Sequence, residues 1–132
     1  MHFTVDNLDK FSIIKITATH VTPEICVHVE QEAMALIDDK QIADIILDAK
    51  KVKEFCDESV EMFQMIQLST AHLKGVFVLI LDKNIEFKKL ASLKTCHSKD
   101  EAMDLIFADQ MKRNLLTEED FDFEDLEDDL EE

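Results

Sequence analysis

Hydrophobic positions along this chain switch repeatedly between the strand period and the helix period. Phe11-Ser12-Ile13-Ile14-Lys15-Ile16 is a short β-branched and aromatic run and predicts a strand, with Phe3-Thr4-Val5 as a hairpin arm across residues 6–10. Thr22-Pro23-Glu24 predicts a helix start: Thr22 as N-cap, Pro23 at the first helical position, and Glu24 near the positive end of the dipole. Ile25, Val29, Ala33, Leu36 and Ile37 recur at helical spacing, with an end expected near Lys40. Ile42–Leu47 predicts the next strand. A second helix is expected from Asp57, as N-cap, to Lys74. It carries Val60, Phe63, Ile66, Gln67 and Ala71 in one stripe, with Met62 and Met65 beside it. Gly75, the single glycine, is expected to end this helix in the left-handed conformation. Val76–Leu81 is continuously apolar, the pattern of a strand covered on both faces. A helix is expected over Ile85–Leu93. Ser98 is expected to cap a last helix from Lys99 to about Leu116, with Asp100 and Glu101 in its first turn and Lys112 and Arg113 in its last. Strands alternating with helices predict an α/β fold with a central, mostly parallel sheet and crossover helices. In it, Ile42–Leu47 and Val76–Leu81 are neighbouring parallel strands joined through the Asp57–Lys74 helix.

The junction between the Ile42–Leu47 strand and that helix draws most attention. In open α/β sheets the working site commonly lies where a strand end leads into a helix N-terminus. Here the junction brings Asp57, Glu58, Ser59 and Glu61 together: a carboxylate-rich helix start with one hydroxyl in it.

Charge divides the chain in two. Of 132 residues, positions 117–132 hold eleven acids and no base, while the preceding 116 hold nineteen acids against fourteen Lys and Arg. The net charge of −16 is therefore mostly the tail's. The expected organisation is one domain over 1–116 and an acidic C-terminal tail over 117–132. Direct nucleic-acid binding is disfavoured, because a phosphate backbone needs basic groups to neutralise it. No apolar run reaches the roughly 18 residues of a membrane span, so no membrane insertion is expected. The N-terminal residues lack the basic and apolar segments of a secretory signal. Cys26, Cys56 and Cys96 form no CxxC pair and leave one over, which fits a reducing cytoplasm better than a disulfide framework.

The candidate chemistry is sparse. His2, His20, His28, His72 and His97 are scattered, and Cys26 and His28 point to opposite sides of a helix, so no metal site is expected. No local Ser-His-Asp or Cys-His arrangement and no glycine-rich phosphate loop is present, and no cofactor is expected. Cys56 reads as a small buried apolar residue, and Met34, Met62, Met65 and Met103 read as core. Asp57 reads both as a cap and as a partner contact. Ser59 reads as a helix-start residue and as a candidate phosphorylation site, where phosphate would meet the repulsion of Glu58 and Glu61.

The order and lengths of these elements resemble the STAS domain of bacterial anti-sigma factor antagonists, over about residues 3–112. The resemblance is strongest at Ile42–Leu81 and at Ser98–Ile106, where Asp100-Glu101-Ala102 is similar to the family's acidic-Ala start of its last helix. Family members carry an aromatic, a hydrophobic residue and then Asp-Ser-Ser-Gly; this chain has Phe55-Cys56-Asp57-Glu58-Ser59-Val60. Asp57 matches the family Asp and Ser59 the second Ser. Glu58 stands where the phosphorylated Ser usually is, and Val60 replaces Gly. The resemblance implies a STAS-like mixed sheet and a non-catalytic, protein-binding switch in transcription regulation. Its partner would be an anti-sigma factor that is also a serine kinase, and phosphorylation at the helix start would weaken binding. Glu58 cannot be phosphorylated by such a kinase and carries a permanent charge. It either mimics the modified state or marks a lost switch.

Two other functions compete with this one. A STAS-type accessory subunit of a phospholipid-trafficking ABC transporter would instead meet a basic ATPase surface. A small enzyme using Asp57 and Ser59 would need a deep pocket and a strongly raised carboxylate pKa at the junction. In the tail, Phe123, Leu126 and Leu130 sit at i, i+3 and i+7, so a basic partner could fold them into one helical face, and Phe121 could add a further contact. Without a partner the tail is expected to contribute little to the fold.

Overall fold

A computed structural model describes residues 2–8, 11–85 and 93–122, with side chains described through residue 113. The five-stranded sheet has the order β1-β2-β4-β6-β7, built from β1 (Phe3–Asn7), β2 (Ser12–Ile16), β4 (Ile45–Ala49), β6 (Phe77–Leu81) and β7 (Lys94–Cys96). β1 and β2 form the expected antiparallel hairpin, Val5 opposite Ile14, and all other neighbours are parallel. A small parallel pair, β3 (His20–Val21) with β5 (Glu54–Phe55), lies outside the main sheet. The helices are α1 (Pro23–Asp38), α2 (Glu58–His72) and α3 (Lys99–Asp122).

The continuous apolar runs are explained by two cores, one on each face of the sheet. Ile14, Ile16, Ile45, Leu47, Phe77 and Leu79 point toward α1 and α2. Ile13, Ile46, Val78 and Ile80 point toward α3, which contributes Ala102 and Ile106. All five residues of β6 are buried, as a strand covered on both faces requires. β4 and β6 are adjacent and parallel, Ile46 opposite Val78, with α2 between them in the chain.

Several local expectations need correction. β4 begins three residues later than predicted. Gln41 turns left-handed at φ 55°, and the Ile42 amide donates to Leu36 O, closing the end of α1 and taking Ile42 away from the sheet. β7 falls between two expected elements, in a stretch for which the sequence predicts neither strand nor helix. It is three residues long, and two of them are exposed, so it carries almost no pattern. The Ile85–Leu93 helix falls on residues 86–92, which lie outside the described residues.

α2 ends differently than expected. Lys74, not Gly75, takes the left-handed conformation, at φ 64°. Gly75 serves a different need: a Cβ there would stand 1.8 Å from the Ala43 carbonyl oxygen. The buried stripe of α2 is Ser59, Met62, Phe63, Ile66 and Thr70, so Ala71, expected inside, is exposed. α3 continues to Asp122, past the expected end at Leu116, which leaves Lys112 and Arg113 in mid-helix rather than in the last turn.

Candidate functional site

The segment from β4 to α2 is anchored at several points before the helix begins. Val52 is fully buried, and its amide donates to Ala49 O. The amides of Lys53 and Glu54 both reach Thr19 O, and the Cys56 amide donates to Val21 O at 3.1 Å. Phe55 meets Phe63 edge to face, with ring centroids 5.7 Å apart. These contacts fix the start of α2 against the loop that leads into α1.

At that start the four sequence candidates separate. Asp57, Glu58 and Glu61 are exposed, while Ser59 is fully buried. Asp57 does not cap the helix through its side chain. Its backbone is already helical (φ −61°, ψ −34°), whereas a capping side chain needs an extended residue, as Thr22 is at α1 with its hydroxyl accepting from the Ile25 amide. The Asp57 carboxylate is left at the surface. Together with Glu58 and Glu61 it complements the positive end of the helix, each carboxylate worth about 0.3–1 kcal/mol.

Ser59 faces the interior. Its Oγ lies 3.5 Å from Cys26 Sγ and 3.6 Å from Cys56 Sγ, and the two sulfurs are 3.5 Å apart. The hydroxyl is therefore shielded from solvent. Cys56, expected to be buried, is half-buried.

The exposed face of α2 holds a feature the sequence reading assigned to the core. Met65 and Leu68 are 48 % and 68 % exposed, and with Glu61 they stand at i, i+4 and i+7. The exposed face of α2 thus presents an acidic start followed by two uncovered apolar side chains. An apolar residue flanked by core-facing neighbours cannot be told from core by type alone, which is why Met65 was misassigned.

A buried polar network joins the opposite end of the sheet to α3. Asp44 is 3 % exposed and accepts from the Val76 amide at 2.9 Å, from Gln110 Nε2 at 2.7 Å and from Arg113 Nη2 at 2.9 and 3.1 Å. Arg113 Nη1 also donates to Lys74 O at 3.0 Å. This network escaped the sequence reading because its partners are more than thirty residues apart.

Among the described residues, no cluster of three His, Cys, Asp or Glu side chains could hold a metal, and no helix is long and apolar enough to cross a membrane. A groove of about 700 Å³ between β1 and α1 is lined by His2, Phe3, Val5, Glu24, Ile25, His28 and Glu32. A second depression, of about 460 Å³, runs along the outer face of α1. Neither includes Asp57, Glu58, Ser59 or Glu61. In the tail, Phe121 lies within the helical backbone, but its side chain, like Phe123, Leu126 and Leu130, lies outside the described residues.

Burial pushes the Cys26 thiol up to about 11, with the Ser59 hydrogen bond opposing, and burial likewise raises Cys96. Asp82, at the end of β6, is held below the usual carboxylate range first by the Asn84 amide and then by Lys53 Nζ at 2.9 Å. A raised thiol pKa makes the folded state hold its proton where the unfolded chain has released it. Stability is therefore fully present below pH 9, the ordinary thiol value, and falls as pH rises toward about 11. Urea unfolding across that window should show a shallower decline for Cys26→Ala than for the native chain. Parallel declines would show that Cys26 does not drive this loss.

No protein-family model matches the sequence, and no curated protein matches it. Solved structures do. The anti-sigma factor antagonist SpoIIAA in its unphosphorylated form is 12 % identical, with a TM-score of 0.66, covering 79 % of this chain and 96 % of that one. SpoIIAA, the Bacillus cell fate determinant, in its phosphorylated form gives 12 % identity and a TM-score of 0.63, covering 79 % and 98 %. An anti-sigma factor antagonist from Mycobacterium paratuberculosis gives 12 % identity and a TM-score of 0.67, covering 79 % and 92 %. The element order, the mixed five-stranded sheet and these likenesses agree: the chain has the STAS fold of the anti-sigma factor antagonists.

Proposed function

We propose that this chain is a non-catalytic regulatory module that binds a protein partner through the exposed face of α2, in the manner of an anti-sigma factor antagonist. The observation that carries this reading is the surface made by Asp57, Glu58 and Glu61 followed by Met65 and Leu68. A charged approach with an apolar stripe behind it suits recognition of a basic protein. The charges steer encounter, and the apolar side chains supply contacts that salt does not screen. The partner is an anti-sigma factor with serine kinase activity. Glu58 stands at the exposed position where a phosphoacceptor would be reachable, and it supplies a fixed negative charge there. The phosphorylation switch is thereby lost at this position, and Glu58 serves as a fixed part of the docking charge. The acidic residues 117–132 would add to the steering.

Binding of the full chain to an anti-sigma factor with serine kinase activity from the same organism, measured at two salt concentrations, tests this. Leu68→Ala and Glu61→Lys should each weaken binding by about tenfold or more. Deleting residues 117–132 should lower the association rate at low salt and leave the melting temperature nearly unchanged. Glu58→Ser should be phosphorylated at residue 58 by the kinase while the native chain is not. Undiminished binding by both α2 variants would overturn the docking face. Equal labelling of native and variant protein at Ser59 would overturn the role given to Glu58. A large loss of stability on tail deletion would show the tail to be part of the domain.

A further inference from the structure

Cys26 lies on α1 and Cys56 immediately precedes α2, thirty residues apart in sequence, yet their sulfurs are 3.5 Å apart. Both thiols are free. The same triangle holds the Ser59 hydroxyl, at 3.5 Å from one sulfur and 3.6 Å from the other. Two thiols in contact across two elements need to approach only to about 2 Å to form a bridge. Both backbones are held, Cys56 by its amide bond to Val21 O and Cys26 within α1, so the approach falls to the two side chains. Their accessibility differs: Cys56 is half-buried, and Cys26 is 4 % exposed.

We propose that Cys26 and Cys56 form a peroxide-sensitive dithiol, an oxidation site that, when bridged, locks the start of α2 onto α1. The order of events follows from exposure. Hydrogen peroxide reaches Cys56, whose sulfur attacks one peroxide oxygen. The O–O bond breaks, one water leaves, and Cys56 becomes a sulfenic acid. The Cys26 sulfur, already in contact, then attacks the Cys56 sulfur. The S–S bond forms as the S–O bond breaks, and the departing oxygen takes the Cys26 proton and leaves as water. Two thiols and one peroxide give one disulfide and two waters. Cys26, 4 % exposed, is shielded from direct oxidation and serves as the resolving sulfur because it is already in contact with Cys56. Cys96 stands apart: it lies on β7 in the core beneath α3, with its thiol directed to Ser98 O at 3.4 Å. A bridge closing a thirty-residue loop restricts the unfolded chain and should raise resistance to unfolding. The inference does not depend on the docking role of α2. If that role holds, the bridge would act on the same helix start.

The test uses the full chain, reduced, then exposed to hydrogen peroxide. Peptide mapping without reductant should show a Cys26–Cys56 bridge in monomeric protein, with Cys96 remaining a thiol. The urea midpoint should rise on oxidation and return with dithiothreitol. Cys96→Ala should behave as the native chain does. Cys26→Ala should stop at a Cys56 sulfenic acid that dimedone traps. Should Cys26→Ala fail to fold, Cys56→Ala, altered at the less buried position, should form no intramolecular bridge and show no rise in midpoint. Bridges that link two molecules or include Cys96, or conversion of Cys56 to sulfinic acid in the native chain without any bridge, would overturn the proposal.

Discussion

Gly75→Ala is expected to destabilise the chain by about 3 kcal/mol or more, at the severe end for adding one methyl group. The added carbon would stand 1.8 Å from Ala43 O and 2.4 Å from Ala43 C, so the obstacle is main chain and no side-chain rotation relieves it. The backbone cannot easily drift either. On one side the Gly75 amide donates to Thr70 O at 2.8 Å. On the other, the Val76 amide donates to the buried Asp44 carboxylate and Val76 O accepts from the Ile45 amide. Any retreat from Ala43 breaks a bond at the point where β4 and β6 begin to pair. Urea unfolding reads the loss directly. The neighbouring Lys74→Gly separates close approach from backbone conformation. Lys74 is the left-handed residue, and glycine there removes a strain of about 1 kcal/mol, partly offset by unfolded-state entropy. Lys74→Gly should therefore be nearly neutral or slightly stabilising. A Gly75→Ala chain with native stability would mean that the approach of Ala43 relaxes at little cost.

The same pair of residues shows where sequence reading succeeds and where it stops. That α2 ends just before Lys74-Gly75 was legible, because a lone glycine after a helical stripe is a strong punctuation signal. Its reason was not legible, since the close approach involves Ala43, thirty-two positions earlier. The two-core sheet could be read from periodicity: Phe77–Leu81 is apolar on both faces, and Ile45–Ala49 is too, apart from the half-buried Asp48, because helices cover both. β7 could not, because three residues with one buried side chain leave no period to detect. At the site, position was legible and orientation was not. Asp57, Glu58, Ser59 and Glu61 do gather at one helix start, but a rotation of the expected stripe turns Ser59 inward and leaves Met65 outside. Helical phase is set by what Phe63 and Ile66 pack against, and that partner is tertiary. For the same reason the Cys26–Cys56 contact and the Asp44 network were invisible: each joins segments that no local pattern connects.

The Asp44 network carries the other large expected effect. Arg113→Ala should cost about 3 kcal/mol or more, because it strips the counter-ion from a carboxylate that is 3 % exposed. The loss is more than one ion pair. Arg113 Nη2 touches both Asp44 oxygens, and Nη1 holds Lys74 O, the carbonyl just before Gly75, so this side chain ties α3 to the turn that feeds β6. Lysine cannot reproduce that fork, and Arg113→Lys should recover only part of the stability. Adding Asp44→Asn to Arg113→Ala should recover stability relative to Arg113→Ala alone. An amide left without its cation is cheaper to bury than a carboxylate, and its oxygen can still accept from the Val76 amide. That ordering, with the double variant more stable than the single, is the particular signature of an uncompensated buried charge. A double variant that is less stable than Arg113→Ala would show that Asp44 acts chiefly as an acceptor for Val76 and Gln110. Arg113 would then stabilise the fold through Lys74 O and Asp109, with which it also pairs at 3.0 Å, rather than through charge compensation.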